Sequence, residues 1–171
     1  FESRKEALNE SRGSHALRIL LEAGLEGIHG YVAQLGEVSE KNRYALEIAA
    51  GNRLGQIVVD NDHIAAKAIE ILKKKKAGRL TFLPLNRIKS QKKNFAISRF
   101  ENNREIGFID KAINLITFDE VYADVFRYVF GETLVFSDLA SARLSKQKVR
   151  LVTLGGELLE SSGAITGGSK L

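Results

Sequence analysis

The sequence predicts an α+β fold built from two pseudo-repeated subdomains, each pairing helices with short strands. Short β-branched clusters such as Ile57-Val58-Val59 stand beside stretches with helical apolar spacing, such as Ile64, Ala65, Ala68, Ile69 and Leu72. The same order of strand, turn, helix and closing glycine recurs 80 residues further on. With 171 residues, 44% hydrophobic and 27% charged, the chain has a globular composition and can bury about 70% of its unfolded surface.

Residues 1–22 mix charges of both signs, and Ala16, Ile19, Leu20 and Ala23 show helical spacing, so this stretch reads as an exposed helix or helix end stopped at Gly24. Tyr31 to Leu35 is β-branched and aromatic enough for a strand, and a polar turn follows. Tyr44 to Ala50 reads as a helix ended by Gly51. After the Ile57–Val59 strand, Asp60-Asn61-Asp62 offers N-cap oxygens to the next helix. Lys73 to Lys76 close that helix, where cations suit the macrodipole, and Gly78 fits a C′ position. Leu80 to Leu83 forms a strand that Pro84, the only proline, ends. Residues 86–105 are rich in Asn, Lys, Ser and Arg without periodicity, which predicts a long loop with disorder.

In the repeat, Gly27 matches Gly107, Leu35 matches Leu115, Val38 matches Phe118, Leu46 matches Phe126, Gly51 matches Gly131 and Leu54 matches Leu134. The register then slips, because the helix around Asp138 to Ser145 is shorter than its counterpart. Val149 to Leu154 takes the place of the Leu80 strand.

Net charge is +5, but its distribution is more informative than its sum. Residues 73–104 carry eleven Lys/Arg against the single acid Glu101. Residues 105–142 are net acidic, and Arg143, Lys146, Lys148 and Arg150 restore positive charge. Such asymmetry points to a polyanion-facing side, nucleic acid first, with a solvated basic surface as the plain alternative.

Several chemistries are excluded. The absence of cysteine removes disulfides, thiolate metal sites and cysteine nucleophiles. His15, His29 and His63 form no two-histidine metal spacing, and no Gly-x-Ser-x-Gly elbow exists. No apolar run approaches the ~20 residues of a membrane span, so the expectation is a soluble protein with no membrane partner. The tail from Gly163 to Lys170 has the glycine spacing of a phosphate-binding loop, but Ser169 precedes Lys170, the reverse of the order that loop requires. Those glycines then serve positive φ or close backbone approach. No cofactor is expected. The chain starts at Phe1, lacks Met and shows no signal segment, and it reads as a piece of a longer polypeptide.

Four blocks resemble the hinge domain of the structural maintenance of chromosomes (SMC) proteins in its bacterial form. They are Gly27-Ile28-His29-Gly30-Tyr31-Val32; Ala45-Leu46-Glu47 to Gly51 with Ile57-Val58-Val59; Gly78-Arg79-Leu80-Thr81-Phe82-Leu83-Pro84-Leu85; and Arg150-Leu151-Val152-Thr153-Leu154 running to Ser162-Gly163-Ala164-Ile165-Thr166-Gly167-Gly168-Ser169. The last two together are specific. Many bacterial relatives have Gly-Gly where this chain has Ser162-Gly163, and residues 86–105 match no family pattern.

The resemblance implies the SMC hinge fold flanked by coiled-coil ends: residues 1–23 as the end of an outgoing coiled-coil helix, 24–105 as subdomain I with the basic loop 86–105, and 106–171 as subdomain II with the exit toward the returning helix. It implies a homodimer of a chromosome condensation and segregation protein, cytoplasmic and nucleoid-associated. The ATP-binding heads and the contacts to accessory condensin subunits would lie elsewhere in that protein, so this segment is not expected to be an enzyme. Family glycines lie in or beside the dimer contact, which nominates Gly155, Gly156, Gly163, Gly167 and Gly168. Family hinges also bind DNA, often preferring single strands, near the coiled-coil junction. Lys170 matches the lysine-rich position after the final glycines, and charge extends the DNA-binding set to Lys73, Lys74, Lys75, Lys76, Lys89, Lys92 and Lys93. The alternative reading is a stand-alone basic nucleic-acid-binding domain.

Overall fold

The computed structural model describes residues 15–89 and 104–169 and has the expected α+β architecture. The first half runs α1 (15–22), β1 (Ile28–Tyr31), β2 (Gly36–Val38), α2 (Glu40–Ala50), β3 (Ile57–Val59), α3 (Asp62–Lys75) and β4 (Phe82–Pro84). The second half runs β5 (Phe108–Lys111), β6 (Ile116–Phe118), α4 (Ala123–Phe130), β7 (Leu134–Phe136), α5 (Leu139–Leu144), β8 (Leu151–Thr153), β9 (Leu158–Leu159) and β10 (Ile165–Thr166). One sheet has the order β1-β3-β4 and another the order β10-β9-β8-β7-β5. In both, an antiparallel pair (β1 with β3, β5 with β7) is followed by a parallel one (β3 with β4, β7 with β8).

The repeat extends to individual hydrogen bonds. The Asp60 N–H donates to the Gly27 carbonyl at 2.9 Å, and the Ser137 N–H donates to that of Gly107 at 2.8 Å. Val32 donates to Gln56, and Ala112 to Thr133, both at 2.9 Å. Gly51 and Gly131 end their helices at φ +56° and +54°, a left-handed conformation that glycine takes without steric penalty. Asn61 caps α3 by accepting from the Ile64 N–H at 2.9 Å, and Asp138 caps α5 by accepting from Ser141 at 2.8 Å. These caps are 77 residues apart. The register has therefore shifted before the strands, and Leu134 corresponds to Ile57 in β3, whereas Leu54 lies in a 3-10 turn over Gly51–Gly55.

Packing divides the described chain differently from the repeat. One compact unit comprises residues 15–36, 52–89 and 119–125; the other comprises 37–51, 104–118 and 126–169. In the first, β3 is fully buried, and Ala16 and Leu20 of α1 pack with Ala68 and Leu72 of α3. In the second, Leu134, Phe136, Ala142 and Leu151 form a cluster. Phe126 stacks on Phe118 with ring centroids 4.7 Å apart.

Local structure differs from expectation at several points. The first strand ends at Tyr31, and Val32–Gln34 is a 3-10 turn, because the Gln34 side chain accepts from the Tyr31 N–H at 2.8 Å and closes it. The left-handed residue ending α3 is Lys76 (φ +51°), two residues before Gly78. Ile69 sits on the expected apolar face but is 42% exposed. Pro84 is the last residue of β4, where an outermost strand tolerates its missing N–H. The hairpin of β9 and β10 carries no periodic signal, since each strand has two residues.

Candidate functional site

The five nominated glycines cluster around the β8–β9 turn and the β9–β10 hairpin. After β8 the chain turns at Gly155-Gly156, where the Gly156 N–H donates to the Thr153 carbonyl at 2.9 Å. The Thr153 hydroxyl donates to the Glu157 carboxylate and accepts from the Glu157 N–H, so this turn is tied down at both ends. Gly156 is buried at φ +91°, and a Cβ there would run into the Tyr44 ring of α2. Gly156 thus has a packing reason within its own unit to be glycine. Gly167 lies against Glu157, whose Cγ would be 3.0 Å from an added Cβ.

Gly163 and Gly168 are different. Both are exposed, with φ of +109° and +143°, and nothing within 4 Å would meet an added Cβ. The hairpin is closed by hydrogen bonds from the Glu160 N–H to the Ala164 carbonyl at 2.8 Å and from the Gly163 N–H to that of Glu160 at 2.9 Å. Its outer strand β10 ends the five-stranded sheet and is exposed throughout, with Ile165 57% accessible. An exposed sheet edge with an apolar side chain is a template for pairing with another chain.

The basic residues fall at the end of α3. Lys73, Lys74, Lys75 and Lys76 are all exposed, and the last turn of a helix favours cations. Lys89 is exposed on the segment after β4; Lys92, Lys93 and Lys170 lie outside the described residues. Arg87, close by in sequence, is paired with Asp62 at 2.8 Å. The Asp62 carboxyl is held below its usual range, first by the Asn86 amide that donates to it and then by Arg87.

One polar cluster has no signature in the sequence. His29 Nε2 lies 2.7 Å from Asp60 Oδ1, and His29 Nδ1 lies 2.7 Å from the Tyr122 hydroxyl. Tyr122 is 93 residues away in sequence, and no local motif joins it to His29. Desolvation, reinforced by Asp119 and Asp60, pushes the Tyr122 hydroxyl above its ordinary pKa. Among the described residues no group of acidic and histidine side chains could hold a metal ion, and no helix is long and apolar enough to cross a membrane.

The SMC proteins flexible hinge domain family matches residues 25–144. The chain belongs to this family. The hinge is 51% identical over 168 residues to the chromosome partition protein Smc of a Synechococcus species, covering 98% of this chain and 14% of that protein. It is 49% identical to the Smc protein of a Synechocystis species, covering 99% of this chain and again 14% of the relative. Among solved structures, it resembles the Geobacillus stearothermophilus SMC hinge domain, described as an asymmetric dimer, with a TM-score of 0.82 and 31% identity over 98% of this chain and 71% of that one. The Pyrococcus furiosus SMC hinge domain gives a TM-score of 0.77 and 39% identity over 96% of this chain and 85% of that one. The hinge therefore spans 14% of the length of its Smc relatives.

Proposed function

We propose that this hinge is the dimerisation module of a chromosome-partitioning SMC ATPase and that it also contacts DNA. The observation that carries the first part is the β9–β10 hairpin: an exposed edge strand, an accessible Ile165, and two exposed glycines with open space where a side chain would stand. The first unit offers a second edge at β4. Two copies related by a two-fold axis can cover both kinds of edge twice, the first unit of one meeting the second unit of its partner. The relative from Geobacillus stearothermophilus, described as a dimer, supports the same reading. ATP hydrolysis, accessory subunits and nucleoid association belong in this proposal to the rest of the longer protein.

DNA contact is supported by the four exposed lysines ending α3, with Lys89, Lys92, Lys93 and Lys170 as further members of the set. Sedimentation equilibrium at micromolar concentration tests the first part. A dimer is expected, and a monomer would leave the stand-alone nucleic-acid-binding domain as the better reading. Fluorescence anisotropy with single- and double-stranded oligonucleotides across a salt series tests the second.

A further inference from the structure

The second unit carries an exposed aliphatic pair that its internal counterpart lacks. Ile106 is 77% exposed and Leu144 is 71% exposed. The segments that carry them, the turn entering β5 and the end of the helix α5, are tied together by a double clamp. The Glu105 carboxylate accepts from the Ser145 hydroxyl at 2.7 Å and from the Lys146 N–H at 2.8 Å. Gly107 sits so close against Ser141 that a side chain there would collide with it. Ile106 lies between these anchors, and Leu144 immediately precedes one of them.

The repeat acts as an internal control. The residue 80 positions before Ile106 is Glu26, and the residue 77 positions before Leu144 is Lys67, both exposed. The same backbone positions carry charges where they face water, so the fold itself does not require aliphatic residues there. Within four residues of one or other member of the pair lie the exposed cations Arg104, Arg143, Lys146 and Lys148, while the Glu105 carboxylate accepts the two hydrogen bonds of the clamp.

We infer that this patch docks an acidic amphipathic helix of a partner protein, one presenting two aliphatic side chains a turn apart, flanked by Asp or Glu. An amphipathic helix supplies its anchors at i and i+3 or i+4, which suits a pair of aliphatic side chains, and its carboxylates complement the cationic rim. Nucleic acid is the poorer occupant, because single strands are held by aromatic stacking as well as charge, and the pair at the centre of the patch is aliphatic.

The test uses a fluorescein-labelled helical peptide with Leu at i and i+4 on a Glu-rich background, a scrambled peptide of equal composition, and single-stranded DNA. The variant I106E/L144K installs the residues that the first half already tolerates, and K146Q/K148Q removes two rim charges. The amphipathic peptide is expected to bind the wild-type chain in preference to the scrambled one. Both variants should weaken it about tenfold or more with unchanged melting temperature and self-association. Equal binding of both peptides, or undiminished binding by I106E/L144K, would overturn the inference. So would a variant that instead loses self-association, which would make the patch a contact between copies, or one that loses only DNA binding.

Discussion

The Tyr122 hydroxyl lies 2.7 Å from His29 Nδ1, while Asp60 engages the opposite nitrogen of the same ring at 2.7 Å. With the Nε2 proton directed to the carboxylate, Nδ1 accepts from Tyr122, so residues 119–125 are joined to β1 within the first compact unit. Replacing Tyr122 by Phe should cost about 0.5–1.5 kcal/mol in urea unfolding, the usual net value of one hydrogen bond. Because burial raises the Tyr122 pKa, the folded state holds that proton more tightly than the unfolded chain does. Its contribution is complete below the ordinary value of 10.0 and is lost as pH rises through the raised value. Stability measured above pH 10 should therefore fall less steeply in Tyr122→Phe than in the wild type.

At the acid end the sign reverses. Asp138 is held below its ordinary value of 3.8, chiefly by the Ser141 N–H it caps, and Asp62 by Asn86 and Arg87. Both contribute fully above 3.8 and lose that contribution as pH falls through their lowered values. Asp138→Asn should preserve the α5 cap at pH 7 and flatten the acid limb of the stability profile. Asn61, the equivalent cap of α3, already works without a charge. Thermal melts between pH 2 and 7 measure this.

The glycines of one candidate site should separate by experiment. Gly156→Ala meets the Tyr44 ring as well as left-handed strain, and it should destabilise the chain by about 2–4 kcal/mol. In a Tyr44→Ala background its further cost should shrink to the strain component, about 1–2 kcal/mol. Gly163→Ala and Gly168→Ala face open space, and their fold cost should stay near the strain component alone. Alanine at Gly163, Gly167 and Gly168 together should convert dimer to monomer while far-ultraviolet circular dichroism stays near wild type. A triple variant that remains dimeric would remove these glycines from the interface.

For DNA, exchanging Lys73, Lys74, Lys75 and Lys76 for Gln should weaken binding uniformly across sequences. Each phosphate left without its lysine should lower the slope of log affinity against log salt by about 0.7–0.9. An unchanged slope would identify the lysine run as a solvated helix end.

In the core of the second unit, Phe126 is 1% exposed and stacked on Phe118. Phe126→Ala should cost about 3–5 kcal/mol, a large part of the stability of a chain this size, and chemical denaturation would show it as a collapsed midpoint. Phe126→Leu should recover more than half of that loss.

Local signals are strong where one residue decides the backbone. Gly51 and Gly131 are visible as helix stops because a left-handed terminus favours glycine, and Asp60-Asn61-Asp62 is visible as a cap because a side-chain oxygen one turn before an apolar stripe has few other uses. The slip from 80 to 77 is only partly visible. The 3-10 turn at Gly51–Gly55 absorbs the extra residues without apolar periodicity, which is why Leu54 looks like the partner of Leu134. In the candidate site, the glycines stand out by spacing, but nothing local distinguishes Gly156, packed under Tyr44, from Gly163 in the open.

The amino-acid order by itself determined the α+β class, the repeat, the helix caps and the basic segment, since each depends on neighbours within about one turn or on identity at fixed spacing. Tertiary structure alone decided that residues 119–125 pack in one compact unit and 37–51 in the other. It also decided that His29 meets Tyr122, and that the Glu105 carboxylate ties the segment carrying Ile106 to the one carrying Leu144. These outcomes follow from packing between residues far apart in sequence, where apolar burial rewards many pairings almost equally and shape complementarity selects one.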